Sequence, residues 1–280
     1  MRRVASLRWL AGAGLLSMLA GAARAGVSCG VLVSSPTGPL GPCNAVTLGG
    51  TLTVQCTKAA DSPLASTPFS AGVVAQHGLS AQDGAGHAIG YGVWQAGAGG
   101  MPWGSDASSV LQGSVAFGSG STGSAQLPFQ VIVPASPQRP AAGAYQDVLQ
   151  VTLAYSPDGG ALLSDGAAGA GSVTFAVAPA CSLSPPSPLT LGYIALQADP
   201  AIASSSFAVD CNTGYTLSLD SPGGTLLGLP YSLSLDALSG TYDGLVHQHR
   251  ITGRIEGGLA GACAGGACQA SQVHWLMLSY

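Results

Sequence analysis

His247 and His249 are one residue apart, a spacing that on an extended strand sends both imidazoles to the same face, where two ring nitrogens could begin a metal site. No third ligand stands near them in the sequence, and the favoured reading is a solvated strand. Cys263 and Cys268, in CAGGAC, offer two thiols within a Gly-rich loop, and no CxxC occurs that would complete a zinc set. GVSCG at residues 26–30 matches the G-x-S-x-G of serine hydrolases, but no strand precedes it and no helix follows. GSGSTG at residues 118–123 matches G-x-G-x-x-G without the helix whose N-terminus would hold phosphates. Asp147 has no acid or base partner that the sequence can name. The motifs that could do chemistry thus come without the elements that would position them. The expectation is a protein that is not an enzyme and uses neither cofactor nor metal.

The chemistry left to the seven cysteines is oxidation, and the N-terminus points to a compartment where that occurs. Arginines at 2, 3 and 8, an apolar stretch from about 9 to 20 and the small-x-small triplet Ala23-Arg24-Ala25 form a secretory signal over residues 1–25. The stretch is too short for a membrane span, which needs roughly 18 or more apolar residues. Removal of the signal leaves 4 bases (Lys58, Arg139, Arg250 and Arg254) against 12 acids, a formal charge of −8. A nucleic-acid surface has no electrostatic footing in such a chain.

Cys29 and Cys56 lie 27 residues apart, Cys181 and Cys211 lie 30 apart, and each pair opens one half of the chain. A disulfide closing a loop of that size stabilises a domain by about 3 to 4 kcal/mol. The spacing favours Cys29 with Cys56, while the odd Cys43 leaves Cys29 with Cys43 open; Cys263 with Cys268 is the third expected bond. Around the pairs the halves repeat. Each runs from its first Cys to an alternating strand ending in the second (TLTVQC, SFAVDC), then to a Tyr-led strand (YGVW, YSLSL), then to a closing strand, DVLQVTLAY ending at Tyr155 and QVHWLMLSY ending at Tyr280. With helical signals nearly absent after the signal, the expected fold is all-β: two β-sandwiches in tandem, the first lengthened by loops around 59–90 and 95–125.

CSLSPPSPLTLGY, FAVDCNTGYTLSLD, LPYSLSLD, HRITGRIEGG and VHWLMLSY in the second half resemble the spore coat protein U domain family, the pilin-like modules of archaic chaperone-usher pili. The first half shares YGVW, the Trp103-Gly104 pair and GAYQDVLQVTLAY, while the family's aromatic-Gly segment, present as Leu191-Gly192-Tyr193, has no counterpart after Cys29. The resemblance implies immunoglobulin-like sandwiches that lack one edge strand, which a periplasmic chaperone supplies first and an adjacent pilin later, at an outer-membrane usher.

The two closing strands are continued unequally. DVLQVTLAY runs on through SPDGGALLSDGAAGAG into SVTFAVAPA, whose alternating Val173, Phe175 and Val177 are expected to complete the first domain; a plain linker, or the first strand of the second domain, is the other reading. The expected division is residues 26–171 as the first domain, 172–180 as the connecting strand and 181–280 as a second domain lacking its final strand, with Trp275, Met277 and Tyr280 on the edge of its acceptor groove. Only residues 26–28 precede Cys29, too few for a donor strand. These features imply the two-domain tip adhesin of such a pilus, exported through the periplasm to the cell surface and mediating attachment and biofilm formation. A non-tip structural pilin or a secreted spore or cyst coat protein is the alternative. Leu64, Phe69, Trp94, Met101, Leu162 and Leu163 in Gly-rich surroundings are the candidate adhesive loop residues, whereas Trp103, in its WG pair, belongs to the core.

Overall fold

Alternation of apolar with small or polar residues sets the strands, and the computed structural model, which describes residues 26–41, 43–97 and 100–280, packs them into two β-sandwiches. The signal expected at 1–25 lies outside the described residues. Among the described residues no helix is long and apolar enough to cross a membrane.

Domain one comprises β1 (Val27–Val33), β2 (Thr37–Pro39), β3 (Val46–Lys58), β4 (Ser66–Ala75), β5 (Ser80–Gln82), β6 (Ala88–Gly90), β7 (Gly92–Gln95), β8 (Leu111–Ala116), β9 (Thr122–Val133), β10 (Gly143–Tyr155) and β11 (Leu163–Val177). One sheet has the order β1-β3-β9-β7; the facing sheet has the order β2-β11-β10-β4-β8, with β5 and β6 joined to β10. Leu52, Val54, Phe129 and Val131 from the first sheet meet Leu149, Val151, Leu153, Val173 and Phe175 from the second in a closed core. The stretches 59–90 and 95–125, expected as loops, instead supply β4, β5, β6, β8 and the start of β9.

Domain two comprises β12 (Cys181–Leu183), β13 (Ala201–Cys211), β14 (Tyr215–Leu219), β15 (Gly223–Leu226), β16 (Leu229–Leu235), β17 (Ser239–Gly240), β18 (His247–Ile255) and β19 (Leu276–Ser279). Its first sheet, β12-β13-β18-β16-β15, repeats the first sheet of domain one strand for strand and adds β15. The disulfides sit at equivalent places: Cys29 is directly opposite Cys56 across β1 and β3, Cys181 opposite Cys211 across β12 and β13, and both pairs are bonded, as is Cys263 with Cys268. Cys43 is a free, exposed thiol.

The boundary drawn at residue 171 falls inside a strand. β11 begins at Leu163, so GAAGAG, which reads as loop, lies within a strand and is paired with β10 from Ala167 onward. Glycine is needed there because β11 passes β1 closely: a Cβ on Gly169 or Gly171 would stand 2.8 Å from the carbonyl oxygen of Val31 or Ser34. At the junction, Asn212 is buried, accepts from the Ala180 amide at 2.7 Å and donates to the Pro140 and Ala178 carbonyls, and the Ala142 amide donates to its backbone oxygen. One residue following a disulfide thereby fastens both domains.

Candidate functional site

β10 and β19 occupy the same place in their two domains, and their surroundings differ. β10 lies between β4 and β11, pairing with β11 from Gly143↔Val177 to Tyr155↔Leu163. β19 pairs with β14 from Thr216↔Ser279 to Leu219↔Leu276, and among the described residues no strand flanks its other edge. The closing tyrosines register the difference: Tyr155 is 2% exposed, Tyr280 62%. In domain one, Val173, Phe175 and Val177 of β11 seal the core. In domain two only Phe207, Val209, Cys211, Tyr215 and Leu217 form the buried cluster, and Leu276 and Leu278 rest half-buried against it. An edge of unpaired amides and carbonyls beside half-covered leucines is a template for one further strand.

This geometry amends the residues assigned to the groove. Trp275, Met277 and Tyr280 are at the edge, but their side chains are exposed; the inward row is Leu276 and Leu278, which alternation places on the face opposite Trp275 and Met277. Outward positions on the equivalent β10 carry Gln150 and Thr152 where β19 and its lead-in carry Trp275 and Met277.

Register also sorts the candidate adhesive residues. The Val27 amide donates to the Pro157 carbonyl, the Lys58 amide to Ser121 and the Phe117 amide to Ala65, so loops 59–65, 117–121 and 156–162 gather at the end of domain one remote from Asn212. Leu162 and Leu163 are exposed there, Leu163 as the first residue of β11. Lys58, the base at that end, is tied down by a 2.6 Å bond from Nζ to the Leu64 carbonyl and lies over the Phe117 ring at 5.3 Å. Met101 is exposed on the flank. Phe69 does not belong in this set: it points inward from β4 and is 1% exposed, because STPFSAGVVA alternates as a strand. Leu64 packs half-buried on the core, and Trp94 is half-buried on β7 with its backbone bridged to Pro102. Trp103 is buried, its Nε1 donating to the Ala71 carbonyl at 2.9 Å and its ring packed against Phe129.

The titratable groups are arranged in pairs. Each of the five histidines has an aspartate oxygen close to a ring nitrogen: His77 to Asp147 at 3.0 Å, His87 to Asp83 at 2.7 Å, His247 to Asp243 at 2.9 Å, His249 to Asp236 at 3.5 Å and His274 to Asp220 at 3.0 Å. The solvated strand expected for His247 and His249 is replaced by a buried one: His249 is 6% exposed, with its ring stacked on Phe207. Among the described residues no group of three or more side chains could hold a metal ion.

Asp147, in the GAYQD stretch, is buried and accepts from the His77 amide and ring, the Tyr91 hydroxyl at 2.8 Å and the Val148 amide. Burial and then the bond to Asp147 push the Tyr91 hydroxyl well above the usual tyrosine range. Two residues earlier the Tyr145 hydroxyl donates to the Ala141 carbonyl at 2.8 Å, a tyrosine corner, and burial raises it to about 12. The motif is therefore structural. Asp147→Ala should destabilise domain one by roughly 3 to 5 kcal/mol, since it strands the Tyr91 hydroxyl and two amides, whereas Tyr91→Phe should cost about 1 to 2 kcal/mol. Urea unfolding of residues 26–180 measures both.

In comparison with known proteins, residues 35–152 match the model of the Spore Coat Protein U domain family. The match falls on the first half, although the longer motifs stand in the second. No curated protein matches the chain. Among solved structures it is similar to a chain of the CsuC-CsuE chaperone-tip adhesion subunit pre-assembly complex from the archaic chaperone-usher Csu pili of Acinetobacter baumannii, at 15% identity and TM-score 0.44, covering 91% of this chain and 100% of that one. The CupB6 tip adhesin of Pseudomonas aeruginosa is similar at 9% identity and TM-score 0.35, covering 91% and 95%.

Proposed function

We propose that this chain, which carries a Spore Coat Protein U domain in residues 35–152, is a two-domain pilus subunit held in its fibre by a strand donated to β19, with domain one presented as the adhesive tip. The observation that carries this reading is the contrast between β10, flanked on both edges, and β19, flanked on one. In this reading a periplasmic chaperone supplies the strand first and the donor segment of an adjacent pilin replaces it at an outer-membrane usher. The tip position is supported by domain one being sealed by its own β11, and by β1 being committed to β3 through backbone pairing and the Cys29–Cys56 bond. Adhesion to apolar surfaces is supported by Leu162 and Leu163 standing exposed at the end remote from domain two. A structural subunit within the shaft is the second reading, favoured by the open edge alone.

Immunogold labelling of piliated cells with antibodies against domain one separates the two. One cluster of label at each pilus end is expected, and label spaced along the shaft would remove the tip assignment. Pili carrying L162N and L163N should assemble in equal number while cell attachment to a hydrophobic plastic falls about a hundredfold or more, the loss of two apolar contacts of about 1.5 to 3 kcal/mol each.

A further inference from the structure

Five groups inside domain two form a line. Asp243 Oδ1 lies 2.9 Å from Nε2 of His247, whose Nδ1 is 3.1 Å from the Tyr215 hydroxyl. That hydroxyl is 2.7 Å from Nε2 of His249, whose Nδ1 faces Asp236 Oδ1 at 3.5 Å. Each of these four contacts needs one hydrogen to be attractive. The His247 bond foremost holds the Asp243 carboxyl below the usual range. Burial pushes the Asp236 carboxyl up, but hydrogen bonds, foremost those from the backbone amides of Arg250 and Ala237, outweigh it, and it too sits low. Both carboxylates are thus acceptors only. Tyr215 brings one hydrogen and each neutral imidazole one, so three hydrogens serve four contacts.

The contact left without a hydrogen is identifiable. It is the longest of the four, and Nδ1 of His249 is a buried atom with no hydrogen-bond partner. We propose that Nδ1 of His249 is a proton-binding site whose filling adds a bond to Asp236 within its own sheet and makes the Nε2 bond to Tyr215, which links the two sheets of domain two beside the end of β19, a charge-assisted one. The proton comes from solvent, and the resulting imidazolium donates to Asp236 as well as to Tyr215. His249 is on β18 of one sheet and Tyr215 on β14 of the other, and Thr216, next in the chain, pairs with Ser279 of β19. The charged or titratable groups around the line are Asp236 after β16, Tyr242 and Asp243 before β18, His247 on β18 and Tyr280 after β19. Tyr242 donates to the Arg139 carbonyl, and Arg250 is exposed on the other face of β18. A similar line through Asp220, His274 and Tyr231 needs no extra proton, because it ends on the Gln272 amide, which can present either oxygen or nitrogen.

The coupling to β19 rests on the strand-acceptor reading; the proton site does not. Histidine side-chain nitrogen spectra, recorded on the full chain with Ser-Val-Thr-Phe-Ala-Val-Ala-Pro-Ala fused after Tyr280 through a flexible linker, test the site. At pH 7.5 His249 should carry its proton on Nε2 alone, and at pH 5.0 on both nitrogens. A proton on Nδ1 at pH 7.5, or spectra unchanged to pH 5.0, would overturn it. If the chain proves soluble with no donor, which removes the acceptor reading, the same spectra are recorded on it unmodified. For the coupling, the unfused chain is refolded together with the nonapeptide as a free probe, and the peptide should dissociate from that complex about tenfold more slowly at pH 5.5 than at 7.5, the equivalent of one pH unit of linkage. D236N and H249Q should each abolish that difference. Equal rates at the two pH values in the wild type, or an unchanged ratio in D236N, would refute the coupling.

Discussion

Exported to a periplasm that offers no strand donor, residues 26–280 will be recovered as aggregates or degradation products, and the same chain with Ser-Val-Thr-Phe-Ala-Val-Ala-Pro-Ala fused after Tyr280 will be recovered soluble. The size of the effect comes from the two cores. In domain one, Leu149, Val151 and Leu153 of β10 are all buried beneath β11 and the opposite sheet, and in domain two the corresponding Leu276 and Leu278 remain half-exposed. An inserted strand brings two or three apolar side chains of its own into that space, each contributing about 1.5 to 3 kcal/mol, and pairs an edge that otherwise recruits other chains. A domain stable by about 5 to 15 kcal/mol cannot forgo several such contributions. The segment chosen as donor already performs this task against β10, so its alternation suits an equivalent edge. Antiparallel addition to β19, as β11 adds to β10, is the expected register, and the fused protein should be monomeric because β1 remains in its own sheet. A stable, soluble monomer without any donor would sink the strand-acceptor reading, as would fibres formed by the unmodified chain alone.

Features held by local signals were legible in the sequence. The cysteine spacings gave the shared framework of β1–β3 and β12–β13, and the tyrosine endings marked β10 and β19 as equivalent. What escaped depended on distant neighbours. GAAGAG has the composition of a loop, and only the close passage of β1 explains why glycines at 169 and 171 lie within a strand. Phe69 stands amid Ser, Thr and Pro, as an exposed loop residue would, but the alternation of Thr67, Phe69, Ala71 and Val73, all buried, shows the strand that Gly-rich flanks concealed. His249 looked solvated because its partner is Tyr215, 34 residues earlier, on the opposite sheet. The missing flank of β19 was readable as an inequality between two endings, and the side chains that floor the groove were not, since Trp275 and Met277 are the more conspicuous residues there.

A chain ending at Gly171 will aggregate where one ending at Ala180 folds, because the nine residues between them hold Val173, Phe175 and Val177. Val173 and Phe175 are fully buried, and the Phe175 ring meets Tyr91 edge-on at 5.9 Å. Removing the three side chains withdraws about 5 to 9 kcal/mol of apolar burial, comparable with the whole stability of the domain. The shorter chain also leaves the start of β10, from Gly143 to Val148, without its β11 partner, and strands β2, whose partners are Thr174, Phe175 and Ala176. It retains the Cys29–Cys56 bond, so a covalent cause for its failure is excluded. Both fragments lose the Asn212 contacts at the junction, so that loss cancels in the comparison. A third chain, ending at Ala180 with Phe175→Ser, separates backbone from side chain: it keeps the strand pairing and should fold with stability lowered by about 3 kcal/mol or more. Oxidative refolding and then size-exclusion chromatography distinguish the three. Equal recovery of the chains ending at 171 and 180 would show that β11 beyond Gly171 is dispensable, and with it the argument that domain one is sealed from within while domain two waits for a strand.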